Sequence, residues 1–221
     1  MKLFFEAVVK FAIGVVLVGA MLFASAGTFA YPGGWLFMGL LFVPMFIAGL
    51  VMLAKSPELL AKRLDAKEKQ AAQKGVVGLA ALMFIGGFVV AGLDHRFGWS
   101  VMPVGIVVAA AVVFLVSYLL YAQVLRENAW LSRTIRVEDG QTVVDTGLYG
   151  IVRHPMYVAT IFLFLSMPLI LGSWYAFLIF LAYPAVIVVR LKDEEALLTR
   201  ELKGYEEYKK KVKYRLIPFI W

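Results

Sequence analysis

Two groups of residues in this chain carry chemistry by their types and spacing. Arg190 and Glu194 stand four positions apart with Glu195 directly after them, and about forty residues earlier Arg153, His154 and Pro155 precede a long uncharged run that begins at Met156. On a helix, positions four apart share a face, so Arg190 and Glu194 are neighbours about one turn beyond the apolar Ile187, Val188 and Val189. Acidic residues near a membrane boundary need partners. A local ion pair is one reading of Arg190 and Glu194, and a bound cation held by the two carboxylates is the other. At the earlier group, Pro155 suits the first position of a helix and pushes His154 into an extended conformation. The free N–H groups of that first turn, together with Arg153, favour an anion. Here too two readings stand: an anion or cofactor seat, or Arg153 on a lipid phosphate with His154 as a helix cap.

The elements that must position these residues are set by solvent. A hydrophobic content of 62% and a mean hydropathy of +0.83 over 221 residues are too apolar for a water-soluble domain. Uncharged runs go from Phe11 to Ala30, Trp35 to Ala54, Gly75 to Leu93 and Phe97 to Leu125. Each is long enough to cross a ~30 Å hydrocarbon core at ~1.5 Å per residue. The run from Met156 to Val189 measures ~50 Å as one helix, more than a bilayer needs. Pro168, Gly172 and Ser173 near its middle predict a tight helical hairpin turning at Gly172. The expected fold is an all-α integral membrane protein with about six transmembrane helices, including this C-terminal hairpin, a cytosolic cap and a C-terminal helix.

Charge placement agrees with that count. With six helices, Lys2, Lys10, the six basic residues from Lys55 to Lys74, the four from Arg126 to Arg153 and the nine from Arg190 to Arg215 share one face, and only Arg96 lies opposite. The positive-inside bias makes that face cytoplasmic, with both ends of the chain on it and the inner membrane as the site in a bacterium. The net charge of +7 therefore has a topological origin, and no nucleic-acid reading motif accompanies it. Glu6, Lys10 and the twenty-residue apolar stretch fit a retained first helix better than a signal peptide cleaved after Ala24 to Ala26. Absence of cysteine excludes thiol catalysis, disulfides and cysteine metal sites, and His95 and His154 alone leave little to build a zinc site from, so no metal is expected.

Residues 1–125 are expected to form an N-terminal group of spans, and residues 126–221 a second region with cap, hairpin and C-terminal helix that carries both groups of charged residues. Between the second and third spans, residues 56–74 read as an interfacial helix with Ser56 as cap, Pro57 and Glu58 in its first turn, and Leu59, Leu60 and Leu64 as an apolar stripe. That helix anchors at anionic headgroups. In the cap, "TIRV" and "QTVV" flank Glu138, Asp139 and Gly140 as two short extended pieces around a turn. Gly204 suits a helix end, and Tyr205, Tyr208 and Val212 are spaced to pack back on the cap.

"GLYGIVRHPMYVAT", followed by "DEEALLTRELKGYEEYKKKVKYRLIPFIW", resembles the isoprenylcysteine carboxyl methyltransferase family and its prokaryotic relatives, which share the RHPxYxG and paired-glutamate signature with phospholipid methyltransferases. The resemblance covers the chain from Glu127 and Asn128 onward. Ala159 stands where the family has the last glycine, and Leu148 where GPY is common.

The resemblance implies a membrane enzyme that takes S-adenosylmethionine from the cytosol and a lipophilic or lipidated acceptor from the bilayer. It places Gln141, Val143, Gly147, Tyr149, His154, Pro155 and Tyr157 at the cofactor, with Glu194 and Glu195 as acidic partners. By the same resemblance Arg190, with Arg153, is expected to hold the acceptor carboxylate. Methyl transfer to a carboxylate needs no general base, because the acceptor is already deprotonated at neutral pH. A lipid amine N-methyltransferase and a non-catalytic membrane transporter are the competing readings.

Overall fold

The computed structural model describes residues 2–64, 71–131 and 137–221, with no strand among them. The helices are α1 (Lys2–Ala26), α2 (Pro32–Lys55), α3 (Pro57–Leu64), α4 (Ala71–Phe97), α5 (Val104–Glu127), α6 (Pro155–Ile170), α7 (Trp174–Phe180), α8 (Tyr183–Glu201) and α9 (Tyr205–Lys211). Among the described residues, five segments are long and apolar enough to cross a membrane: α1, α2, Gly75–Phe97 of α4, α5, and Trp174–Glu201, which joins α7 to α8. The apolar α6 is shorter. This is an all-α integral membrane protein. Its long helices are apolar on all sides because one side meets lipid and the other meets protein. Ile13, Val43, Leu82 and Val116 face outward, while Leu22, Phe37, Phe114 and Phe180 form the buried core.

Hydrogen bonds fix which turns share an end of the bundle. Asp94, 2% exposed, accepts from the Ser100 amide (2.6 Å), the Ser100 hydroxyl (2.7 Å) and the Ser173 hydroxyl (2.5 Å). The Tyr31 hydroxyl donates to the Leu171 carbonyl at 2.7 Å. The α1–α2, α4–α5 and α6–α7 turns therefore meet at one end, which also carries Arg96. At the other end, Lys10 Nζ donates to the Leu64 carbonyl at 2.8 Å and Lys62 reaches Glu138. For these turns to meet, α6 must cross between the two ends, so the short helix completes the alternation.

The hairpin turns at Gly172, whose φ of +79° is in the left-handed region, and the Ser173 hydroxyl caps α7 by accepting from the Ala176 amide at 3.0 Å. Its second arm is not one continuous helix. It breaks at Leu181 and Ala182, just before Pro184, whose missing N–H removes a rung of the helix ladder.

Two further expectations are corrected. The interfacial helix, described over Pro57–Leu64, does not run through position 74, because residues 71–74 are already the first turn of α4. Residues 65–70 lie outside the described residues. Ser56 is the C-cap of α2, and its carbonyl, not its hydroxyl, accepts the Leu60 amide. Thr134, Ile135 and Arg136 of "TIRV" also lie outside the described residues. "QTVV" is not a strand, although the turn before it forms as expected, with the Gln141 amide donating to the Glu138 carbonyl at 3.0 Å.

Candidate functional site

The chain leaves α5 at Glu127, crosses the basic end of the bundle and returns to it at α6. The return begins with a 3-10 turn over Gly147–Gly150. Gly147 has φ +57°, and a Cβ there would approach the Glu127 carboxylate to 2.5 Å. Only glycine meets both conditions. The Glu127 carboxylate then accepts the Leu148 amide at 2.8 Å, closing the loop over the end of α5. Tyr149 is thereby buried, with its carbonyl accepting from the Tyr208 hydroxyl at 2.8 Å.

Arg153 and His154 occupy the lip of α6, and the C-terminal strap runs beside them. Their amides donate to the carbonyls of Tyr214 (2.9 Å) and Arg215 (3.0 Å). Arg153 is buried, with Nε on Glu195 Oε1 at 2.7 Å and Nη1 on the carbonyls of Val212 and Lys213, both at 2.9 Å. His154 Nε2 lies 3.2 Å from the same carboxylate oxygen, and Arg215 Nε donates to Glu195 Oε2 at 2.8 Å. One buried carboxylate thus ties together the start of α6, the emerging end of α8 and the strap. A buried charge is tolerable only when paired and hydrogen-bonded in this way.

Above this knot lies a cleft that collects most of the residues singled out in the sequence. Gln141, Val143, Tyr149, Arg153, His154, Tyr157, Arg190 and Glu194 all line it. Gly147, Pro155 and Glu195 do not: Gly147 shapes the turn, Pro155 starts α6, and Glu195 holds the floor. The Tyr157 hydroxyl donates to the Glu194 carboxylate, and Arg190 bears on the same hydroxyl. A carboxylate, a guanidinium and a phenol therefore stand together where α6 and α8 emerge from the apolar core.

Asn128, Trp130, Leu131, Thr142, Val144, Met156, Leu198 and Leu202 also line the cleft, and no type or spacing in the sequence marks them. Tyr205 and Tyr208 were visible as packing aromatics after Gly204. They do pack, in a buried cluster with Leu202 and Val212, and they line the cleft as well. Burial pushes the hydroxyls of Tyr149, Tyr205 and Tyr208 above the ordinary phenol range, and the Glu195 and Glu194 charges push Tyr205 further. These phenols are neutral donors at physiological pH. The Tyr205 side chain is 4% exposed, and its hydroxyl has no hydrogen-bond partner among the described residues. A buried polar atom of this kind at a cleft wall is suited to a ligand.

Over 91 residues the chain is 32% identical to the Delta(14)-sterol reductase TM7SF2 of Mus musculus, a match covering 40% of this chain and 22% of that protein. The chain thus spans about a fifth of the length of that curated relative. Residues 99–205, from just before α5 to Tyr205 and including most of the cleft lining, match the family model described as Phospholipid methyltransferase.

Proposed function

We propose that the chain is a membrane methyltransferase that binds S-adenosylmethionine in this cleft and methylates the carboxylate of a lipophilic acceptor of the isoprenylcysteine type. The observation that carries the reading is the meeting of Glu194, Arg190, Tyr157 and the unpartnered Tyr205 hydroxyl in one cleft at the end of the spanning helices. The match over residues 99–205 supports it. The residues present fit the cofactor. Glu194 offers a carboxylate to its positive charge, Tyr205 offers a donor to an oxygen or nitrogen, and Val143, Leu198 and Leu202 offer apolar walls to a flat ring.

When bound, S-adenosylmethionine supplies a methyl group on a positively charged sulfur. The acceptor carboxylate is the nucleophile and carries no proton to remove. Arg190, with its planar two-pronged donor set, orients that carboxylate at the mouth facing the apolar core. Arg153 acts as a positioning residue, because its Nε and Nη1 bonds hold the floor and the strap. The apolar walls exclude water, which strengthens the charge interactions inside. The basic end of the bundle, with the Lys2 and Trp221 ends of the chain, faces the cytoplasm by the positive-inside bias, which in a bacterial cell would make the membrane the inner one.

The description of the matched family favours a second acceptor class, a phospholipid amine. Arg190 offers an amine no hydrogen-bond acceptor, so the carboxylate reading is preferred. Calorimetry with S-adenosylhomocysteine tests the cofactor assignment: binding by the wild type that weakens in Glu194→Gln is expected. Binding of a reduced nicotinamide dinucleotide in its place would move the chain to a reductase reading, in line with its sterol reductase relative.

A further inference from the structure

The family match begins at residue 99, yet one wall of the cleft is tied to a helix well before it. Lys62 of α3 places Nζ 2.6 Å from Glu138 Oε2, with the two side chains only 24% and 20% exposed. The same ammonium stands 5.4 Å from the centre of the Trp130 ring. Glu138 is also locked to Gln141, because its amide donates to Gln141 Oε1 at 2.9 Å and its carbonyl accepts the Gln141 amide at 3.0 Å. Trp130 and Gln141 both line the cleft. On its other flank α3 is fastened to the spans, through the Leu64 carbonyl to Lys10 and through Arg63, 5.2 Å from the Tyr121 ring of α5.

We infer that Lys62 is a positioning residue for the cleft: through Glu138 and Trp130 it fixes the wall that carries Gln141 and Trp130 against the membrane-anchored helices. An exposed ion pair contributes little, but this one is mostly buried and joins two elements that no described backbone hydrogen bond connects. The wall is loop, without regular secondary structure of its own in the described residues. Its position depends on such side-chain ties. The role makes the N-terminal helices part of the binding site rather than only its anchor.

The inference rests on the cofactor reading for its first measurement and is independent of it for the second. Lys62→Glu places two carboxylates together, and its affinity for S-adenosylhomocysteine should fall about fivefold, the scale of coupling between contacting residues. The cofactor KM should rise with kcat unchanged, Lys62→Met should show a smaller change, and the exchange Lys62→Glu with Glu138→Lys should restore affinity to within about twofold. The chain has no cysteine, so a nitroxide on Asp139→Cys, at the exposed tip of the Glu138–Gln141 turn, reports the wall directly. Its mobility should rise in Lys62→Glu and return in the exchange. A label unmoved by Lys62→Glu, or an exchange no better than the single variant in a folded protein, overturns the inference. Failure of the wild type to bind S-adenosylhomocysteine overturns the cofactor reading alone, since the label still reports on the wall.

Discussion

Arg153 and Glu195, 42 positions apart, meet with Nε 2.7 Å from Oε1, and both side chains are buried. Because His154 and Arg215 share the same carboxylate, the pair is the point at which the lip of α6, the end of α8 and the strap become one unit. Removing one partner of a buried pair leaves the other charge uncompensated. Glu195→Ala should therefore cost about 3–5 kcal/mol of stability, read as a lower denaturant midpoint in detergent. A midpoint within error of the wild type would remove the knot from the account.

Tyr205→Phe separates the folding role of that ring from its ligand role. The ring stays packed, and the loss of a buried hydroxyl without a partner relieves about 1–3 kcal/mol of desolvation cost at most, so the free protein should be at least as stable as the wild type. Affinity for S-adenosylhomocysteine should fall by about three- to tenfold, the value of one hydrogen bond. A stability loss with affinity intact would mean that the hydroxyl serves the fold.

Asp94→Ala gives the opposite pattern. It strips partners from the Ser100 and Ser173 hydroxyls and the Ser100 amide, which should cost about 1–3 kcal/mol. The two turns it joins, α4–α5 and α6–α7, lie at the far end of the bundle from the cleft, so ligand affinity in the folded variant should be unchanged. Calorimetry beside a denaturant series checks both halves, and a loss of affinity without a loss of stability would contradict the arrangement of the two ends.

Gly147→Ala forces an alanine to φ +57° and drives its Cβ against the Glu127 carboxylate. A penalty of about 1–3 kcal/mol is expected, with weakened ligand binding because Tyr149 shifts with the turn. Gly150→Ala is the control, since its Cβ meets only the Asp145 carbonyl, at 3.2 Å. Equal effects from the two substitutions, seen in the same unfolding series, would argue against the strain at position 147.

The spans and the hairpin were legible in the sequence because long uncharged runs and the Pro168, Gly172 and Ser173 cluster each have one physical reading in a bilayer. The acidic and basic residues of the cleft were legible for the same reason: charges at the membrane boundary stand out against apolar neighbours. What the sequence hid was the division of labour between adjacent glutamates. Glu194 and Glu195 point to different faces of α8, one into the cleft and one onto Arg153, and local spacing does not say which partner waits on which face. The tie from Lys62 to Glu138 spans 76 positions, so no local pattern announced it. Tyr205 was visible only as an aromatic, because an unpartnered hydroxyl is a property of the fold.

The central claim is transfer of a methyl group to a carboxylate held by Arg190. Its most direct measurement is incubation of the purified protein with methyl-labelled S-adenosylmethionine and a panel of prenylcysteine, fatty acid and aminolipid acceptors, followed by mild base. The account predicts label in a base-labile ester for the wild type. Arg190→Lys should lose much of that rate with cofactor affinity nearly unchanged, because an ammonium cannot reproduce the two-pronged grip. Label found only in base-stable N-methyl product, or near-equal kcat/KM for the acceptor in the two proteins, would contradict it.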